Sequence, residues 1–94
     1  MPPTAQDLLI GNFAGTETPI RSSVELGAVI REQRKRLALK QLDLAGLGNT
    51  GNRFIVDLEN GKPTVQLQKV LDLMDLLGLE VVVRTKTSRS APSL

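Results

Sequence analysis

Asn52, Arg53 and Asp57 bring an amide, a guanidinium and a carboxylate together in the run Asn52-Arg53-Phe54-Ile55-Val56-Asp57-Leu58-Glu59-Asn60-Gly61. At helical spacing Ile55 and Leu58 fall three apart and point inward together, while Asn52, Arg53 and Asp57 fall on another side and offer hydrogen-bonding groups outward. Two such faces on about two turns are what a helix that reads DNA requires. Gly61 closes the helix, because glycine is preferred just past a helix end, and Pro63 forbids it from resuming.

The remaining inventory excludes most catalysis. The chain has no Cys, His, Trp or Tyr, and its only aromatic residues are Phe13 and Phe54. Thiolate and imidazole catalysis, disulfides and the usual transition-metal ligands are therefore absent, and no cofactor is expected. Asp43, Asp57, Glu59 and Asp72 show no spacing that marks an acid and base pair. Gly46, Gly48 and Gly51 are not followed by a phosphate-binding lysine. With 94 residues, the chain is one domain's worth and can bury a single modest core of aliphatic side chains.

Twelve Lys and Arg against ten Asp and Glu give a formal net charge of +2, which says little about partners, but the distribution says more. Arg31, Arg34, Lys35, Arg36 and Lys40 lie close together, opposed only by Glu32, and Arg84, Lys86 and Arg89 make the end of the chain basic. No apolar run approaches the roughly 18 residues of a membrane span, and the N-terminus lacks the features of a signal peptide. A cytoplasmic protein is expected.

Residues 1–21 read as an arm rich in Pro, Thr and Gly, with one apolar patch at Leu8, Leu9, Ile10 and Phe13; it is either a poorly ordered terminus or an arm that docks on a partner. Ser22 or Ser23 caps a first helix running to about Leu37, with Glu25 placed for the helix dipole. Its stripe is Leu26, Ile30 and Leu37 with Val29 beside them, and Arg34 shares that stripe, where a charge needs a partner. A second helix spans Gln41 to about Gly48 with Leu44, Ala45 and Leu47 inward and Gly46 as a weak point inside it. Gly48-Asn49-Thr50-Gly51 is a turn in which Asn49 is best able to take positive φ. Thr64 caps a fourth helix to about Leu77, ending at Gly78. Its apolar positions, from Val65 to Leu77, are enough for two faces, one for the protein's own core and one for something outside the chain.

Leu79-Glu80-Val81-Val82-Val83-Arg84-Thr85 alternates and is β-branched, a strand by period and propensity. A lone strand leaves its backbone groups unsatisfied, so two copies are expected to pair it across a two-fold axis in a homodimer. Residues 73 and 76 on the fourth helix (Leu73, Leu76) and Leu79, Val81, Val82 and Val83 on the strand are the expected dimer contacts. Residues 22–78 thus form the folded domain, 79–85 the dimerisation strand and 86–94 a flexible basic tail.

A tight turn between the second and third of several short helices is the recipe for a helix-turn-helix. The run Leu26-Gly27, Ile30-Arg31, Arg34-Lys35, Gln41, Leu44-Ala45, Arg53-Phe54-Ile55 and Asp57-Leu58-Glu59-Asn60-Gly61-Lys62-Pro63-Thr64 resembles the Cro/repressor (XRE) type helix-turn-helix domain over about residues 24–78. The strand directly after the fourth helix resembles the HipB-type antitoxins, partners and co-repressors of HipA-type serine/threonine kinase toxins. The resemblance implies a mainly α fold: a lambda-repressor-like bundle of four to five helices with one C-terminal strand forming an intermolecular two-stranded sheet in the dimer.

It also implies roles for residues. Asn52, Arg53 and Asp57 match positions that face base edges, where Arg bridges O6 and N7 of guanine, Asn does the same to N6 and N7 of adenine, and Asp accepts from cytosine N4. Asn52 touching phosphate and Asp57 orienting Arg53 by i+4 pairing stay open. Gln41 matches the residue that binds a backbone phosphate at a helix N-terminus, against a solvated Gln as the alternative. Lys40, Thr50, Gly51, Asn60 and Lys62 are the other expected phosphate contacts, with a free surface lysine the alternative for Lys62. Arg34 and Glu59 match a pair that ties the first helix to the end of the third.

Three positions depart from the pattern: Lys40 where Ser or Thr usually caps, Asn49 for the turn glycine, and Gly51 for the usual cap of the recognition helix. They suggest a looser unit that is fully ordered only on DNA. The function expected is a dimeric, sequence-specific repressor of a palindromic operator, nucleoid-associated when bound, that represses its own operon and neutralises a HipA-type kinase toxin. A stand-alone XRE-family repressor without a toxin partner is the alternative, and a protein-binding module that has lost DNA binding is a third.

Overall fold

The computed structural model describes residues 17–86. The patch at Leu8, Leu9, Ile10 and Phe13, with most of the arm, and the tail beyond Lys86 lie outside the described residues. Four helices stand among those described: α1 (Ser23–Arg36), α2 (Gln41–Leu47), α3 (Asn52–Glu59) and α4 (Leu67–Leu76). None is long and apolar enough to cross a membrane.

Helix α1 starts at Ser22, whose hydroxyl accepts the amide of Glu25 at 3.1 Å. The Glu25 carboxylate reaches back to the Arg21 amide at 2.5 Å, so a Ser-x-x-Glu pattern satisfies two otherwise orphaned donors. Helix α2 begins with a single contact of this kind, the Asp43 carboxylate accepting the Lys40 amide at 2.8 Å. Neither Gly51 before α3 nor Gln66 before α4 supplies a side-chain cap.

All four helices end in the same way. The residue after the C-cap turns left-handed at Ala38 (φ 59), Asn49 (φ 54), Gly61 (φ 83) and Gly78 (φ 79). At each end two amides return to the last turn: Ala38 to Lys35 and Leu39 to Arg34, Asn49 to Gly46 and Thr50 to Ala45, Gly61 to Leu58 and Lys62 to Asp57, Gly78 to Asp75 and Leu79 to Met74. This is the Schellman motif, which satisfies the terminal carbonyls and turns the chain sharply. Four sharp stops keep four short helices wrapped round one core.

That core comprises Ile30, Leu44, Ala45, Ile55, Leu58, Val70, Leu73, Met74 and Leu77, with Leu26, Leu39, Phe54, Val65 and Leu79 packed at its edge. Ile30, Leu44, Ile55, Leu73 and Leu77 are sealed from solvent, each contributing about 1.5–3 kcal/mol of apolar burial. Helix α1 buries the row Gly27, Ile30 and Arg34, and the Gln33 amide donates to the Leu77 carbonyl at 2.8 Å, tying α1 to the end of α4.

The structure corrects four expectations. Leu47 is 61% exposed, because α2 is so short that only Leu44 and Ala45 reach the core. Leu37 leaves the α1 stripe because α1 stops at Arg36 and Leu37 is its C-cap. Thr64 does not cap α4: residues 63–65 form a turn that brings Val65 against the core, and the helix begins at Leu67. Leu73, expected between two copies, is 1% exposed and occupied by the protein's own core, so it has no surface left for a partner. Helix α4 does carry apolar side chains beyond its core face, with Leu67 and Leu76 exposed and Leu71 half-buried. Residues 79–86 form no ladder among the described residues, and Val81, Val82 and Val83 are exposed. Arg84 pairs with Glu17, so the two ends of the described chain run side by side.

Ala38 holds a left-handed conformation at a steric cost that glycine lacks, and a methyl group on Gly46 would meet nothing within 4 Å. Ala38→Gly and Gly46→Ala should each raise stability, by about 0.5–1 kcal/mol. A higher urea midpoint at unchanged slope checks this; a lower midpoint for Gly46→Ala would show that α2 tolerates no side chain there.

Candidate nucleic-acid interface

A helix of eight residues cannot hold itself in water, so the position of α3 is set by its contacts. Its rear is locked at the C-terminal half. Ile55 and Leu58 are in the core, and behind Glu59 stands Arg34. The guanidinium grips the carboxylate with both forks, Nε to Oε2 at 2.6 Å and Nη2 to Oε1 at 3.0 Å. Its remaining nitrogen, Nη1, donates to the Leu39 carbonyl at 2.7 Å. Gln41 Nε2 donates to the same Glu59 Oε1 at 3.0 Å. The buried Arg34–Glu59 pair therefore joins α1, the connection after it, the first residue of α2 and the last of α3.

The backbones approach closely beside this pair. A Cβ on Gly27 would lie 2.4 Å from the Leu58 carbonyl oxygen and 2.8 Å from that of Glu59, so only glycine lets α1 sit against α3 here. Just beyond, the Ser23 hydroxyl donates to the Gly61 carbonyl at 2.7 Å. A Cβ on Gly61 would run into Val24 at 2.6 Å. On the other flank the Lys69 ammonium lies 5.4 Å from the Phe54 ring centroid, a cation–π contact between α4 and α3.

The opposite side of α3 is polar and open. Asn52 is exposed, and the Arg53 side chain is 83% exposed. Asp57 is not: its side chain is 18% exposed, with Oδ1 on Arg53 Nε at 3.2 Å and Oδ2 facing Lys62 Nζ at 3.5 Å. The structure thus places the carboxylate between two cations. Lys40, Gly51, Asn60 and Lys62 are exposed and Thr50 half-buried, its hydroxyl donating to the Gly51 carbonyl at 2.9 Å. The half-buried Gln41 side chain, by contrast, is turned inward to Glu59.

Three ties were not visible in the sequence. That Gln41 joins the Arg34–Glu59 pair depends on the angle between α2 and α3, and the Ser23 and Lys69 contacts depend on packing between distant segments. Only the close approach at Gly27 had a signal: a glycine in the first helix next to an apolar stripe.

No protein-family model matches the chain. It is 47% identical over 62 residues, 66% of this chain and 82% of the relative, to the uncharacterised HTH-type transcriptional regulator y4mF of Sinorhizobium fredii (strain NBRC 101917 / NGR234). Among solved structures it resembles HipB in a complex with an O4 20mer, at a TM-score of 0.68 and 18% identity over 74% of this chain and 99% of the other. A HipB variant in complex with an O2 20mer gives a TM-score of 0.69 at 18% identity, over 76% of this chain and 99% of the other. At that identity the likeness is one of fold.

Glu59 sets the rear of the interface, so Glu59→Ala should cost about 3–5 kcal/mol by stranding the Arg34 charge in the core. Replacing both partners, Arg34→Met with Glu59→Leu, should cost less than the two single changes added together. Urea unfolding of Glu59→Ala and of the cycle of wild type, Arg34→Met, Glu59→Leu and the double variant checks this, and strict additivity would mean that the pair does not act as a unit.

Proposed function

The chain belongs to the HTH-type transcriptional regulators and has a HipB-like fold, and from that premise we propose that it is a dimeric, sequence-specific DNA-binding repressor that acts as the antitoxin of a HipA-type kinase. The observation that carries the DNA-reading part is the two-sidedness of α3. Its C-terminal half is fixed by Arg34, Gln41 and Gly27, while its N-terminal half holds Asn52 and the open Arg53 fork toward solvent.

In this reading α3 enters the major groove and Arg53 contacts a guanine through its terminal nitrogens, with Asn52 beside it on an adenine or a phosphate. The exposed groups at Lys40, Gly51, Asn60 and Lys62, with the half-buried Gln41 and Thr50 through their backbone amides, straddle the helix and hold the flanking phosphates. Residues 22–78 are the reading domain. Residues 79–85 of two copies pair as strands, which supplies backbone partners to the exposed Val81–Val83 segment and covers Leu76 and Leu79. The two recognition helices then address a palindrome whose half-sites are about 34 Å apart.

The toxin partner is supported by the fold shared with HipB and by the resemblance of the segment after α4 to HipB-type antitoxins. Affinity capture of the tagged protein from its native cell, combined with footprinting on its own promoter, tests both halves. Recovery of a serine/threonine kinase with a protected palindrome is expected; a protected palindrome without a kinase would mean a stand-alone repressor. On the protected site Arg53→Ala should cost about 1–3 kcal/mol and relax the choice of one base, whereas Lys62→Ala should weaken every sequence alike and reduce the salt slope by about 1. The reverse pattern would exchange the roles of the two cations.

A further inference from the structure

The Asp57 carboxylate lies on the DNA-facing side of α3 and is committed to two cations at once. An acid on a surface meant for a polyanion opposes binding unless it does something there. Its geometry says what. Oδ1 holds Arg53 through Nε, the inner nitrogen of the guanidinium, at 3.2 Å. That leaves the outer edge, Nη1 and Nη2, as a free pair of parallel donors, and this edge can bridge O6 and N7 of guanine. An unbraced arginine that is 83% exposed samples many rotamers and reaches phosphates as readily as bases. Oδ2 faces Lys62 at 3.5 Å, which lowers the positive field that any duplex meets, whatever its sequence.

We propose that Asp57 is a positioning residue that sets sequence discrimination. It aims the outer edge of Arg53 at a guanine and, by partly neutralising Arg53 and Lys62, weakens binding to DNA that lacks this guanine. The proposal rests on the DNA-reading function of α3 and goes beyond it, since the carboxylate itself touches no base.

The test uses a duplex selected by the wild-type protein from a randomised pool, its single base-pair variants and an unrelated duplex of equal length. Affinities are measured for wild type, Asp57→Asn, Asp57→Glu, Arg53→Ala and the Arg53→Ala/Asp57→Asn double variant, with circular dichroism showing that each is folded. Asp57→Asn should tighten binding to the unrelated duplex about threefold or more, by removing one negative charge. It should also lower discrimination at the guanine read by Arg53 about tenfold. Asp57→Glu, which keeps the charge at i+4, should retain most of that discrimination. In the Arg53→Ala background Asp57→Asn should change it no further. Unchanged discrimination in Asp57→Asn would overturn the proposal. So would a changed preference at a different base pair that persists without Arg53, because Asp57 would then read a base itself. Failure of the wild-type protein to prefer any sequence in the pool would overturn the DNA-reading function, a result distinct from both.

Discussion

The bidentate contact between Arg34 and Glu59 is the interaction on which the arrangement of helices depends. Removing both charges from water is expensive, and Coulomb attraction offsets that cost only when the geometry is good and the other donors are satisfied. Here they are: two guanidinium nitrogens meet the two carboxylate oxygens, the third meets the Leu39 carbonyl, and Gln41 adds a further donor. An apolar contact in the same place would tolerate a rotation of α3 about its axis. A planar fork on a planar carboxylate does not, because turning the helix breaks both hydrogen bonds together.

The remaining contacts make sense around that anchor. The absence of a side chain on Gly27 brings α1 close enough for Arg34 to reach Glu59, and Ser23 on Gly61 holds the segment just past α3. The C-terminal half of α3 is therefore constrained from three directions. Its first turn has no side-chain cap, and Asn52 and Arg53 are exposed there. The same eight residues are fixed at one end and open and polar at the other, and the Asp57 bridge to Arg53 and Lys62 lies where the two meet.

Much of this was legible in the sequence because it rests on local chemistry. Gly61 and Gly78 announce helix ends, Asn49 tolerates positive φ, Ile55 and Leu58 keep helical spacing, and a charge on the apolar stripe at Arg34 demands a carboxylate. Ala38 gave no such signal, since alanine is the best helix former and only the tertiary contacts of Leu39 and Arg34 force it into a left-handed turn. The exposure of Leu47, and the start of α4 at Leu67 rather than after Thr64, were settled by which side chains the core had room for. In the candidate site the residue types were readable and the pairings were not. The spacing of Gln41 did not show that its side chain reaches Glu59, and both roles of Asp57 are compatible with its spacing from Arg53.

In the function proposed, the face of α3 bearing Asn52 and Arg53 is the surface that meets DNA. Amide chemical shifts of the isotope-labelled protein, titrated with a duplex from its own promoter, test it most directly. The amides from Thr50 to Arg53, those of Lys40 and Gln41 and those of Asn60 to Lys62 should move first and furthest, while those of Ile30 and Leu73 stay near their free positions. Shifts confined to α4 and residues 79–86, with the α3 face unmoved at saturating duplex, would contradict it.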